Sequence, residues 1–262
     1  MVVGRGRDGA VVSGPHPVGQ DELAERLAAI RARIDRAAPD PGAVTLVAVT
    51  KGFGPEAVAA ASAAGLVDLG ENYADELVAK ATWWAGTGVG DPDGSGPGAG
   101  ATAPSTPGDP AAGAVRWHFL GPVQRNKVPR LAPWVACWQG VARVEEGRAI
   151  ARRRPGASVL VQVDVAGIPG RGGVDPAGVP GLVEALRAEA VDVAGLMAVG
   201  PPGPPEDARP GFLLVRRMAD DLGLRIRSMG MTDDLEVAVA AGSTMVRIGR
   251  ALFGQRPPRP PR

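Results

Sequence analysis

Val44-Thr45-Leu46-Val47-Ala48-Val49-Thr50-Lys51 is an apolar, β-branched run that stops abruptly at an amine. A run of this length and branching reads as a buried strand. Lys51 is one of three lysines, with Lys80 and Lys127, in a chain that carries twenty-six arginines. A sequence that meets almost every need for positive charge with arginine has kept a lysine where a strand ends. Arginine cannot lose its proton and attack a carbonyl; lysine can, once desolvation lowers its pKa. Lys51 is therefore a candidate for covalent chemistry rather than for surface charge.

Working outward, strand and helix patterns alternate. Gln20–Ala37 carries Leu23, Leu27, Ile30 and Ile34 on one helical stripe with charges opposite. After the first strand come a helix over Pro55–Ala64, a strand over Leu66–Leu69 and a helix over Tyr73–Trp84. The pattern resumes with a strand over Val115–Leu120, a helix over Val123–Leu131, a strand over Val135–Gln139 and a helix over Val144–Arg154. Ser158–Val165, Val193–Met197, Arg225–Ser228 and Thr244–Ile248 read as further strands. Pro176–Ala190, Glu206–Leu222 and Leu235–Ala241 read as the helices between them. About eight βα units imply parallel strands covered on both faces, and at this length a closed (β/α)8 barrel of the TIM type. A doubly wound open sheet is the alternative. In a barrel the reactive groups sit at the C-terminal ends of the strands, which is where Lys51 falls.

Residues 1–19 read as a leader without order and 256–262 as a Pro/Arg tail of the same kind, leaving one domain over 20–255. Within it, 85–113 is almost all Gly, Ala, Pro, Ser, Thr and Asp, and reads as a flexible surface insertion. A net charge of +1 offers no electrostatic case for nucleic acid or an anionic membrane. No apolar stretch is long enough to span a bilayer, and the first twenty residues lack the hydrophobic core of a signal peptide. The single Cys137 fits a reducing compartment, so the expectation is cytoplasmic. His16 and His118 lie far apart and no cluster has metal-ligand spacing.

Segments at the other strand ends suggest what Lys51 faces. Ser228-Met229-Gly230-Met231-Thr232 follows the seventh strand and Arg247-Ile248-Gly249-Arg250 ends the eighth. A hydroxyl, two glycines that free the backbone and a helix start capped by Thr232 with Asp233 make an anion site, where barrels usually bind phosphate. A Schiff-base lysine across the mouth from a phosphate site suits an aldehyde bearing a phosphate, for which pyridoxal 5′-phosphate (PLP) is the candidate.

Plainer readings stand beside these. Lys51 could snorkel to water, Ser228 and Gly230 could form only a turn, and Arg247 could pair with a carboxylate inside the barrel. Asn72 and Tyr73 could be no more than a helix start. His118, between aromatics, is more often packed than catalytic, Trp83-Trp84 reads as core or as an anchor for the insertion, and Cys137 as a small hydrophobe.

The chain resembles the YggS/PROSC family of pyridoxal phosphate homeostasis proteins. The matching motifs are Leu46-Val47-Ala48-Val49-Thr50-Lys51, Gly70-Glu71-Asn72-Tyr73 with Glu76, and the run Trp117 to Lys127. Later come Gly195-Leu196-Met197, Ser228 to Asp234, Gly242 to Gly249 and Phe253-Gly254, all in the family's order over Leu23 to Gly254. The resemblance implies the barrel of the alanine racemase N-terminal domain (PLP fold type III) and an internal aldimine on Lys51. It implies phosphate held by Ser228 with backbone near Gly249 and Arg250, close approach at Gly230, Arg247 at the pyridine nitrogen and Asn72 near the cofactor plane. It further implies intracellular PLP buffering or delivery to PLP-requiring apoenzymes, and a monomer is expected. Around Gln139–Glu146 the family commonly carries an Asp that this chain lacks, and the 85–113 insertion is longer than usual. An amino-acid racemase is the alternative, but it needs a second acid/base. The usual tyrosine comes from a separate domain, the only tyrosine here is Tyr73, and nothing around Cys137 suggests activation. A class I aldolase is more distant, because it would leave Arg247 unexplained.

Overall fold

A computed structural model describes residues 19–87 and 115–256. Eight strands close into one parallel barrel in sequence order. They are β1 (Thr45–Val49), β2 (Asp68–Glu71), β3 (Arg116–Phe119), β4 (Val135–Val141), β5 (Ser158–Val163), β6 (Asp192–Ala198), β7 (Ile226–Ser228) and β8 (Met245–Ile248). The seam is the β1–β8 pairing, with Thr45, Leu46, Val47 and Ala48 opposite Met245, Val246, Arg247 and Ile248. The helices around the barrel are α1 (Gln20–Ala37), α2 (Glu56–Ala63), α3 (Ala74–Thr87), α4 (Val128–Leu131), α5 (Val144–Ala151), α6 (Val179–Arg187), α7 (Arg209–Asp221), α8 (Leu235–Ala240) and α9 (Arg250–Phe253).

α1 spans the bounds its periodicity predicts and buries the stripe Leu23, Leu27, Ile30 and Ile34. It packs on α8 and α9, where Arg33 grips the Glu236 carboxylate at 2.6 and 2.7 Å and Arg26 donates to the Leu252 carbonyl at 3.0 Å. The main core lies between strands and helices, and Trp138 and Phe212 are its bulkiest fully buried members. Trp84 joins this core, whereas Trp83 stays 39% exposed.

Several elements differ from the reading of the sequence. α4 begins at Val128 rather than Val123, because Pro129 fits only in a first helical turn. α3 runs on to Thr87, three residues into the segment read as an insertion. α9 has only four residues and no amphipathic repeat to announce it. At the end of the Gln139–Glu146 stretch, Glu146 caps the start of α5. That carboxylate accepts the Ala142 and Arg143 N–H groups at 2.8 and 3.2 Å and an Arg143 guanidinium N–H at 2.7 Å. Of the expected leader, insertion and tail, residues 1–18, 88–114 and 257–262 lie outside the described residues, whereas Arg256, read as the first residue of the tail, lines the cavity at the barrel mouth.

Inside the barrel, a small apolar group (Cys137, Leu160, Ala194, Met197) stands apart from the main core. Polar side chains take much of the remaining space. At its base Asp68 accepts from the Arg116 guanidinium at 2.7 Å and from His118 Nε2 at 2.9 Å. Burial raises the Asp68 pKa, but the His118 and Arg116 hydrogen bonds outweigh it and hold the carboxyl at about 2. A depressed carboxylate contributes stability above its unfolded pKa and loses it as pH falls through the folded value. The expected outcome in urea titrations is roughly 2 kcal/mol of stability lost between about pH 4 and pH 2, and absent from Asp68→Asn. An acid profile identical in the two proteins would count against that assignment.

Candidate functional site

The C-terminal mouth of the barrel opens into a cavity of about 670 Å³, within the range that holds a cofactor. Its lining includes Lys51, Asn72, Thr232, Arg247, Gly249 and Arg250. Five of the seven residues expected to form the site therefore meet here: Lys51, Asn72, Arg247, Gly249 and Arg250.

Lys51 lies two residues past β1, in a turn closed by the Phe53 N–H on the Thr50 carbonyl at 3.0 Å. Carboxylates from β2 and α3 fasten the backbone on both sides of it. Thr50 Oγ1 donates to Glu71 at 2.8 Å, and the Gly52 N–H donates to Glu76 at 2.7 Å. Lys80 ties them together: its ammonium donates to the Thr50 carbonyl at 2.7 Å and forms a buried ion pair with Glu71. Burial holds the Glu71 carboxyl above its usual range despite Lys80. Among the described residues the Lys51 amine itself has no hydrogen-bond or ion-pair partner. Burial lowers its pKa, and the nearby Arg256 and Arg247 charges lower it further against the opposing pull of Glu71 and Glu76. A half-buried, unpaired amine with a depressed pKa has the properties of a carbonyl nucleophile.

Arg247 is 5% exposed and meets no carboxylate. Its Nη1 donates to the Ser228 carbonyl and to Ser228 Oγ, both at 2.7 Å, and its Nη2 to the Ala198 carbonyl at 2.8 Å. Burial pulls its pKa down to about 10, so it stays cationic at neutral pH with a face turned to the cavity.

Ser228 and Gly230 sit differently from the other expected site residues. Ser228 is fully buried, does not line the cavity, and donates its hydroxyl to Gln139 Oε1 at 2.7 Å while accepting from Arg247. Its position behind Arg247 follows from being the last residue of β7 with its side chain inside the barrel. Gly230 takes φ +92°, and a Cβ there would fall 2.5 Å from Ala238 Cβ, so its close approach is to α8. Gly121 works the same way for Asn72: a Cβ at Gly121 would meet the Asn72 carbonyl at 2.1 Å. Thr232 and Asp233 do not cap α8. Asp234 holds the cap position, and its carboxylate accepts the Met231 N–H at 2.6 Å, while Asp233 pairs with Arg250 at 2.5 Å.

Arg171 and Arg256 line the cavity without having been picked out from the sequence. Arg171 belongs to the glycine-rich segment after β5, donates to the Gly200 carbonyl at 2.5 Å, and a loop at a strand's C-terminal end was the available signal. Cys137 does not line the cavity, and burial pushes its thiol up to about 12.

Residues 20–257 match the family described as alanine racemase, N-terminal domain. The pyridoxal phosphate homeostasis protein of Pseudomonas aeruginosa is 35% identical over 246 residues, covering 89% of this chain and 96% of the relative. That of Escherichia coli K12 is 32% identical over 253 residues, covering 90% and 97%. This chain belongs to the pyridoxal phosphate homeostasis protein family. Among solved structures, PipY of Synechococcus elongatus with PLP bound superposes with a TM-score of 0.70 at 28% identity, covering 88% of this chain and all of PipY. An alanine racemase of Clostridium difficile superposes at 0.66 and 14% identity over 60% of its length, a likeness of fold alone. The homeostasis family thus shares the closed barrel that the racemase fold also uses.

Two outcomes follow from this geometry. Arg256→Ala raises the Lys51 pKa, so the midpoint of a pH-dependent acylation of that amine moves to higher pH; an unmoved midpoint would show that Arg256 does not act on it. Gly230→Ala forces a left-handed backbone and a clash with Ala238, and should cost roughly 2–4 kcal/mol in chemical denaturation.

Proposed function

We propose that this protein binds PLP through Lys51 and serves in PLP homeostasis as a buffer or donor of the cofactor. The observation that carries the reading is the separation of the three lysines. Lys80 is locked against Glu71, Lys127 lies 3.4 Å from Asp75 outside the cavity, and Lys51 alone among them lines it, with its pKa depressed. The names of the relatives and the PLP-bound PipY point to the same ligand.

The residues present fit the group. Lys51 would supply the amine that the aldehyde needs, and Asn72 lines the same cavity. Arg247 would meet the ring nitrogen as a donor with no proton to take up, and its charge disfavours protonation of that nitrogen. Thr232, Gly249 and Arg250, which also line the cavity, would hold the phosphate, while Ser228 acts from behind through Arg247. When bound, PLP supplies a reactive carbonyl conjugated to an electron-withdrawing ring. An unprotonated ring nitrogen makes that ring a weak electron sink, which suits holding the cofactor more than turning over an amino acid. Cys137, weighed above as a second base, is away from the cavity with its thiol raised to about 12. PLP-requiring apoenzymes are the recipients this reading implies, with the protein acting as a monomer in the cytoplasm. Among the described residues no helix is long and apolar enough to cross a membrane.

Borohydride reduction of the PLP-loaded protein followed by peptide mass spectrometry should place a pyridoxyl group on Lys51. Lys51→Ala should lose the label and bind PLP about a hundredfold more weakly, roughly 3 kcal/mol. A label on Lys80 or Lys127 would overturn the assignment. Racemisation of an amino acid at enzyme-like rates, lost in Lys51→Ala, would overturn the carrier role.

A further inference from the structure

Barrel interiors are normally filled by layers of apolar side chains. Here five buried polar side chains from five different strands connect end to end. Arg247 Nη1 on β8 donates to Ser228 Oγ on β7 at 2.7 Å, and Ser228 donates to Gln139 Oε1 on β4 at 2.7 Å. Gln139 Nε2 lies 2.8 Å from His118 Nδ1 on β3, and also 3.2 Å from Met245 Sδ. His118 Nε2 lies 2.9 Å from Asp68 Oδ1 on β2. None of the five is more than 6% exposed. The path begins at the mouth and ends at Asp68, the first residue of its strand, where a second hollow opens beside Arg116 on the far face.

Donor and acceptor chemistry gives this path one direction. Asp68 is a carboxylate, so the His118 nitrogen facing it carries a proton, and Gln139 Nε2, which faces both His118 Nδ1 and Met245 Sδ, donates to that Nδ1. Gln139 must then present its NH₂ to His118 and its oxygen to Ser228. Ser228 receives an N–H from Arg247, which leaves its own hydrogen for that oxygen. Turning the amide over would take from the Ser228 hydroxyl the oxygen it donates to and set that oxygen against Met245 Sδ. It would also demand a proton on both nitrogens of His118. This arrangement satisfies every link, and buried links of this kind are costly to leave open.

We propose that Gln139, His118 and Asp68 are positioning residues that act through Ser228 to fix the Arg247 guanidinium, so that the group facing the cofactor ring is oriented from the opposite end of the barrel. The proposal rests on the PLP reading for its consequence, though the chain of bonds stands without it. Arg247 has only carbonyl and hydroxyl partners, and nothing ionic pins it. Among the described residues Ser228 is its one side-chain hydrogen-bond partner, and Ser228 is in turn held by Gln139.

A double-mutant cycle on PLP affinity, read by absorbance titration, tests the idea. Gln139→Leu should weaken binding about tenfold, while Gln139→Leu in an Arg247→Met background should change it by less than about twofold, because Gln139 acts only through Arg247. Wild-type affinity in Gln139→Leu, or the same tenfold loss in both backgrounds, would overturn the proposal. Nitrogen-15 NMR of the wild-type protein without PLP gives a readout that needs no variant to fold. His118 should carry its proton on Nε2 with Nδ1 bare, and Arg247 should show separate, slowly exchanging Nη signals. A proton on Nδ1, or averaged Nη signals, would overturn it. Failure of the PLP reading appears elsewhere, as a wild-type protein that borohydride does not label at Lys51.

Discussion

The pairing of β1 with β8 is the contact on which the site depends. It joins residues about two hundred positions apart and sets Val47 opposite Arg247 and Ala48 opposite Ile248. Only that closure puts the turn bearing Lys51 beside the end of the strand bearing Arg247 and Gly249. An open sheet with the strands in this same order would leave the amine and the guanidinium at opposite edges. Contacts of such long sequence separation are entropically expensive to form, and the apolar seam residues Val47, Ala48, Val246 and Ile248, all fully buried, supply the compensating burial.

Two buried polar assemblies then divide the work at the mouth. Glu71, Glu76, Lys80 and Thr50 hold the backbone around Lys51 while leaving its amine unpartnered. The assembly around Arg247 does the reverse, saturating the side chain with neutral acceptors and leaving its charge uncompensated. Lys51 and Arg247 share one cavity, and the Arg247 charge lowers the cost of deprotonating the lysine. Removing one partner from a buried pair such as Lys80 and Glu71 strands the other, which is why such pairs constrain sequence strongly while adding little net stability.

Much of this was legible from residues alone. The rarity of lysine singled out Lys51, and the alternation of strands with helices announced the barrel. α1 was readable to its ends because its stripe is long and regular. Ser228 was expected as a phosphate ligand, but its hydroxyl points into the barrel, behind Arg247. Which side of a strand end a side chain takes depends on tilt and closure, which no local pattern encodes. The links among Asp68, His118 and Gln139 were hidden for the same reason. His118 read as packed and hydrogen-bonded, and so it is, but its partners come from two other strands. Arg256 escaped notice because a residue beyond the last strand carries no periodicity.

Cys137 bears on how the barrel's motions are observed. It is the sole thiol in the chain, 6% exposed, and too weakly acidic to react while covered. Alkylation at that position therefore requires β4 to separate from its neighbours, and the labelling rate counts those openings. A ligand that binds only the closed barrel suppresses them by the factor 1 + [L]/Kd. The fold thus contains an internal clock for its own breathing, and any occupant of the mouth slows it in proportion to its grip.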